Sequence, residues 1–474
     1  MMQKLKFEGA RIRRIRINLL GRGLSRLLTL ASLAILGTVT LGAIFRNILP
    51  WYYYLLVLCA IAAWQIIMSR FRFPLEWPSR KCFLLILVIA FILSRLTWIL
   101  LIPTLPVSDF ATFDGLARSI STGKQINQVV LNSLGYPALL GCLYAVFGID
   151  LLVAKVMNIT LGALSLLLLY YFTYSIACER VARLAAVLFL IWPTQLAFTS
   201  VLASEHLALT LMLAGFYILA KDGELRKLRF ILWAGILVGL AYVTRPFSIV
   251  ALIAAIGFIL TGQSRFARKT LQIGVVIFGF LTITYLFSGA MAFFYKVRTI
   301  GFPYQVLLMG TNFDSEGRYN IPDSIKLKSY PTLDEAHKYA FQESIRRISS
   351  RPAAFAILIL KKIRHLWGDD SYGVYWGIQK LDEPIHILQT ERGKAYLYRG
   401  CHTYFIFLMM LAVIGCYRLC RHNEQQSGGI ILSLLIIGGA GVVAIMETQS
   451  RYHYVLMPAI LIYGAMSVRH KMRA

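Results

Sequence analysis

Long apolar runs alternate along this chain with short basic segments. Leu27–Phe45, Cys82–Ile102 and Leu271–Phe294 are typical runs. Each is near the roughly 20 residues that a helix needs to cross a hydrocarbon layer. The runs are continuous rather than alternating with period two, which argues against a membrane barrel. An unpaired backbone group in hydrocarbon costs several kcal/mol, so such runs are expected to be helical.

Taking the basic N-terminal arm as inside, the runs assign sides in turn. Leu27–Phe45 goes out, Trp51–Met68 returns, and Cys82–Ile102 goes out again. The segment 103–135 is too polar to span, and Tyr136–Phe147 is short enough for a re-entrant or interface-lying helix. Leu151–Ala177, Leu184–Phe198, Leu207–Ala220, Phe230–Val243, Phe247–Leu260 and Leu271–Phe294 follow as alternating spans. After a long polar segment, 295–400, the chain crosses at Tyr404–Cys416, Gly428–Met446 and Tyr454–Val468. The expectation is an all-α polytopic membrane protein with about 12 spans, both termini inside and basic inner loops. Four regions are expected: 1–81, the basic arm with two extra helices; 82–294, a transmembrane core with a first outer loop at 103–135; 295–400, an extracytoplasmic loop or small domain; and 401–474, the C-terminal helices.

Composition agrees with a membrane class: 58% of the 474 residues are hydrophobic and 15% are charged. The net charge of +27 would suit nucleic acid, but the basic residues sit in the short segments between apolar runs, where orientation signals lie. Nucleic acid is therefore not an expected partner. The long polar segment holds eleven of the 22 acidic residues, and a loop of that length crosses regardless of its charge. The seven cysteines form no CxxC pair, so neither zinc nor a disulfide framework is indicated.

This topology brings Asp109, Asp114, Glu205, Arg245 and Arg451 to the outer ends of spans, although they are far apart in sequence. Ionisable groups beside apolar helices are costly unless they face a cavity or pair with each other. A carboxylate could take a proton from an attacking hydroxyl, and an arginine fork could hold a phosphate. Each residue also has a plainer reading. Asp109 and Glu205 could serve helix starts, Arg245 before Pro246 could reach to the interface, and Arg451 could anchor a belt with Tyr452, His453 and Tyr454. Asp114, five residues from Asp109, points elsewhere on a helix and does not form a carboxylate pair with it. In the long segment, Gly310–Asn320 is turn-rich, but its spacing fails as a calcium loop. Ala353–Leu360, ending in basic residues, reads as an interface helix, and Gly368-Asp369-Asp370 as solvated loop acids. No spacing supports a metal or other cofactor.

Several segments resemble GT-C membrane glycosyltransferases, specifically bacterial relatives of the protein O-mannosyltransferases and of the lipid A aminoarabinose transferase. These are Ser108-Asp109 with Leu116–Ile120 and Gly123, Gly135-Tyr136-Pro137, Ser204-Glu205, Thr244-Arg245-Pro246, and Ser450-Arg451-Tyr452 with Pro458. Gly310-Thr311-Asn312 and Trp367–Asp370 are similar to outer-loop runs of bacterial members. The resemblance implies inverting transfer of a sugar from a polyprenyl-phosphate donor, with Asp109 as the base that activates the acceptor hydroxyl. It also implies that Arg245 or Arg451 holds the donor phosphate, with Glu205 lining the site. Tyr452, next to Arg451, is expected as a further substrate-binding residue, and Asp114 as a helper. The protein would then sit in the inner or plasma membrane, with its active site on the extracytoplasmic face. One departure is Phe110, where many members carry an acid.

Two rival classes share parts of this pattern. A transporter or lipid flippase would place ionisable groups near mid-bilayer and often shows inverted repeats, and neither is seen here. An envelope ligase or polymerase using a lipid diphosphate shares the architecture and differs in its donor. Sugar and acceptor, whether protein, lipid or glycan, are not legible.

Overall fold

A computed structural model describes residues 19–45, 49–70, 79–126, 129–131, 133–221, 225, 227–300, 304–421 and 427–468. Residues 1–18 of the basic N-terminal arm, Arg72, Arg226 and the basic C-terminal end lie outside the described residues, and the rest of the arm forms the start of the first helix. The described chain is helical apart from one small sheet. The first helices are α1 (Leu19–Phe45), α2 (Trp51–Arg70), α3 (Arg80–Leu101), α4 (Ser108–Ser121), α5 (Gly135–Phe147), α6 (Leu151–Ile176), α7 (Glu179–Leu190) and α8 (Pro193–Phe198). They continue as α9 (Ser204–Lys221), α10 (Leu228–Thr244), α11 (Ile249–Thr261) and α12 (Phe266–Tyr295). The former long polar segment forms α13 (Tyr304–Gly310), α14 (Ile321–Lys328), α15 (Leu333–Ser350), α16 (Pro352–Trp367), α17 (Tyr372–Ile378) and α18 (His386–Gln389). The chain closes with α19 (Glu391–Arg421), α20 (Ser427–Ile445), a 3-10 turn at Ser450–Leu456 and α21 (Met457–Ala465).

Within the described residues, five helices are long and apolar enough to cross a membrane: Gly23–Ile44, Arg80–Leu101, Leu151–Ile176, Phe266–Tyr295 and Glu391–Arg421. Three expected spans differ in shape, one of them Tyr454–Val468, which is the end of a 3-10 turn followed by the nine-residue α21. Leu184–Phe198 is broken between α7 and α8, because Pro193 opens α8 and the residue before a proline leaves the helical region; Trp192 has φ −68° and ψ 108°. Tyr404–Cys416 is the middle of a much longer helix, α19, whose first residues, Glu391–Gly400, are too polar to read as part of a span. Likewise 103–135 contains a full helix, α4.

Packing follows small residues. α10 lies against α9 and α12. A Cβ on Gly235 would stand 2.3 Å from the Val276 carbonyl oxygen, so the α10–α12 backbones touch there, as membrane helices do at small-residue seams. α19 packs on α1, α2 and α21, and α20 packs on α1, α11 and α16. Val129–Leu131 and Arg298–Ile300 pair as two short parallel strands, tying the segment after α4 to the end of α12.

A buried polar cluster fastens 368–370 to the helical core. Asp370 is fully buried. Its Oδ1 lies 2.8 Å from His453 Nε2, and its Oδ2 accepts from Trp192 Nε1 at 2.7 Å. His453 Nδ1 lies 2.7 Å from the Leu366 carbonyl oxygen. Asp370 is thus a packed structural acid and not the solvated loop residue expected from its neighbours. Burial pushes its carboxyl up despite these contacts.

Candidate active site

The site starts with α4. Phe110, Phe113, Asp114, Leu116, Ala117 and Ile120 recur with helical spacing and are buried, and α4 packs this side on α5. Asp109 falls in the first turn, where a negative charge suits the helix end. Ser108 before it has φ +52°, a left-handed conformation that a non-glycine residue adopts at a cost.

Asp109 opens on a cavity of about 950 Å³. Its walls come from the start of α4, the turn after α10, the start of α13, α17 and the loop 446–452. Close approaches position two of these walls, the turn after α10 and the α13–loop 446–452 pair. A Cβ on Gly135 would lie 2.2 Å from Thr244 Oγ1, so α5 meets the end of α10 directly before Arg245. A Cβ on Gly310 would lie 2.7 Å from the Glu447 backbone nitrogen. The Glu447 N–H donates to the Val306 carbonyl at 2.9 Å.

Two arginines organise the charges. Arg451 Nη2 donates to Asp109 Oδ2 at 2.5 Å, and its Nε donates to Gln449 Oε1 at 2.8 Å. Arg245 Nη2 stands 3.1 Å from Glu205 Oε1, and its Nη1 donates to Ser204 Oγ at 3.3 Å. Arg245 Nε is buried and has no hydrogen-bond partner among the described residues. Its guanidinium lies 4.9 Å above the Tyr452 ring. Arg451 Nε is 3.9 Å from Glu205 Oε1, so this acid serves both arginines.

The carboxylates differ in setting. Asp109 is half-exposed, with 53% of its side chain accessible. Burial alone would raise its pKa, but Arg451 and, more weakly, Arg245 outweigh that and hold it below the usual value. Glu447 is buried in the cavity wall. Burial pushes its carboxyl up, against the opposing pull of Gln449 and Arg451.

The expected site residues divide. Asp109, Arg245, Arg451 and Tyr452 line the cavity. Glu205 does not line it: it is fully buried behind the arginines. Asp114 is also turned away. Its Oδ2 accepts from Arg118 Nε at 2.7 Å and its Oδ1 from the Tyr144 hydroxyl at 2.7 Å, which braces α4 against α5. Phe110 is buried, edge-on to Trp376 with centroids 5.2 Å apart. Gln305, Trp376 and Glu447 are among the lining residues that the sequence did not single out, and Asp369, read there as a solvated loop acid, lines the cavity too. Glu447 carried a signal, standing in the same short polar turn as Arg451. The other three lie in the long polar segment, where no periodicity ties a residue to the core. Among the described residues, no three His, Cys, Asp or Glu side chains converge as metal ligands.

Residues 132–287 match the profile of a family described as dolichyl-phosphate-mannose-protein mannosyltransferase. The resemblance to GT-C mannosyltransferases therefore stands on a stretch that contains Glu205 and Arg245 and excludes Asp109 and Arg451. No curated protein sequence matches the chain. Among solved structures, the apo oligosaccharyltransferase of Archaeoglobus fulgidus is similar at 15% identity over 83% of this chain and 51% of that one, with a TM-score of 0.48. The same protein in complex with an inhibitory peptide and a dolichol-phosphate gives 15% identity over 82% and 50%, with a TM-score of 0.47. ArnT from Cupriavidus metallidurans bound to undecaprenyl phosphate gives 12% identity over 81% and 77%, with a TM-score of 0.35. The chain spans about half the length of the Archaeoglobus chains it is similar to.

Proposed function

We propose that this protein is a membrane glycosyltransferase that moves a sugar from a polyprenyl-phosphate-linked donor to an acceptor hydroxyl. The observation that carries the reading is the Asp109–Arg451 pair on the wall of a large cavity, 2.5 Å between Oδ2 and Nη2. A base and a phosphate-binding cation stand side by side there, and Arg245 lines the same cavity. The family match over residues 132–287 supports the same class.

In this reading Asp109 takes the proton of the acceptor hydroxyl as its oxygen attacks the anomeric carbon. The bond from that carbon to the phosphate oxygen breaks on the opposite face, and the configuration inverts. The phosphate leaves with the bonding electrons, and Arg451 and Arg245 offset its growing charge. Glu205 fixes both guanidiniums from behind. The membrane arrangement belongs to the same proposal: about 12 crossings with the cavity and residues 295–400 on the extracytoplasmic side of the inner or plasma membrane.

Asp109→Asn removes the base and keeps the shape. Transfer from labelled polyprenyl-phosphate sugars by the purified protein should fall by roughly 10²–10⁴-fold, and wild-type turnover in this variant would remove the assignment. Transfer from a diphosphate-linked lipid alone would favour a ligase or polymerase.

A further inference from the structure

The mechanism above uses Asp109, Arg451, Arg245 and Glu205 and leaves two acids of the cavity, Asp369 and Glu447, without a task; Asp369 accepts from the Ser371 N–H and hydroxyl. Glu447 Oε1 accepts from the Gln449 amide and lies 3.5 Å from the Tyr452 hydroxyl. No hydrogen bond engages its Oε2 among the described residues, and the residue lines the cavity. It has no ion-pair partner there, because Arg451 is committed to Asp109 and Arg245 to Glu205.

We propose that Glu447 is a further catalytic residue of this transferase: as the neutral acid it donates a hydrogen bond to the phosphate oxygen that leaves the sugar. The inference rests on the glycosyl-transfer reading. Three carboxylates, Asp109, Glu205 and Glu447, share two guanidiniums, and the one farthest from pairing keeps its proton most easily. Burial favours the same form. The acceptor proton goes to Asp109 while the Glu447 O–H bridges to the departing phosphate, so the two acids act on opposite sides of the breaking bond.

The charged and titratable groups facing Glu447 are Arg451 and Tyr452 from its own loop, Asp109 from α4 and Arg245 from the end of α10. α13 offers a backbone carbonyl, from Val306. From α16, Lys362 donates to the Ala444 carbonyl at 3.1 Å, three residues before Glu447. Among the described residues no lysine is paired with this carboxyl.

The test compares Glu447→Ala and Glu447→Gln with wild type, using labelled polyprenyl-phosphate sugar and following kcat against pH, with thermal unfolding as the folding control. Glu447→Ala should lower kcat by roughly 10²-fold with little change in KM. Glu447→Gln keeps an N–H donor that does not titrate. It should stay within about tenfold of wild type and lose the fall of kcat at alkaline pH. Wild-type kcat in Glu447→Ala, or an unchanged alkaline limb in Glu447→Gln, would overturn the proposal. Full activity in Asp109→Asn would instead overturn the reading it rests on, so the two failures are distinguishable.

Discussion

Arg451 touches Asp109, Gln449 and Glu205 together, so its removal has separable effects. In the proposed role of phosphate ligand it would contribute charge-assisted hydrogen bonds of about 1.5–3 kcal/mol. Arg451→Ala should therefore weaken binding of a polyprenyl phosphate by roughly 10–100-fold, measured by calorimetry or scintillation proximity. It also removes the main cation that holds Asp109 below its usual pKa. The acid limb of kcat/KM should then move to higher pH. Stability responds with a definite sign. The folded-state value of Asp109 is depressed, so the stabilisation from the pair is present above the unfolded value and is lost as pH falls through the folded one. Arg451→Ala should flatten that acid loss. Asp109, Arg245 and Arg451 were legible because each charge closes or opens an apolar run. Asp114 belongs to the same pattern, and its inward turn toward Tyr144 was not legible, since helical phase depends on where α4 begins.

Between elements, Gly310 is a tight joint between α13 and the loop that carries Glu447 and Arg451. A Cβ there would meet the Met446 carbonyl carbon at 2.5 Å and the Glu447 nitrogen at 2.7 Å, and both are backbone atoms that cannot swing aside. Gly310→Ala should push the 446–452 loop away from α13 and disturb Glu447 and Arg451 together. A fall in kcat of about 10²-fold is expected from a displacement near 1 Å, with a smaller loss of thermal stability; an unchanged kcat would show that the loop absorbs the shift. The sequence located α2, α3, α6, α10 and α20 to within a few residues, because uninterrupted apolar character fixes such helices, whereas α1 begins eight residues before the apolar run, inside the basic arm. It merged α7 with α8 and truncated α19. Pro193 was visible, yet a single proline does not by itself separate a kink from a break, and the polar start of α19 mimics a loop.

For the molecule as a whole, the cavity depends on a clamp between distant parts of the chain. Asp370 joins the α16–α17 turn to His453 beside α21 and to Trp192 before α8. Asp370→Ala strands a buried histidine and a buried indole N–H, which costs about 1–3 kcal/mol for each group left unpaired. The unfolding temperature in detergent should fall, and limited proteolysis should cut 304–390 earlier than in wild type. None of this clamp was legible. Asp370 looked like a loop acid because its partners lie 83 and 178 residues away.

The contact between Asp109 and Arg451 also sets two ligands against each other. Nη2 of Arg451 cannot serve the carboxylate and a phosphate oxygen equally well, so in the proposed reaction an arriving lipid phosphate would compete with Asp109 for one guanidinium. What the phosphate wins, the carboxylate loses, and a carboxylate without its cation is the stronger base. Donor arrival and acceptor activation become a single exchange of partners, with the donor expected first. Affinity and turnover should then part company: Asp109→Asn, which no longer competes for Arg451, should hold the polyprenyl phosphate more tightly than wild type while failing to transfer the sugar.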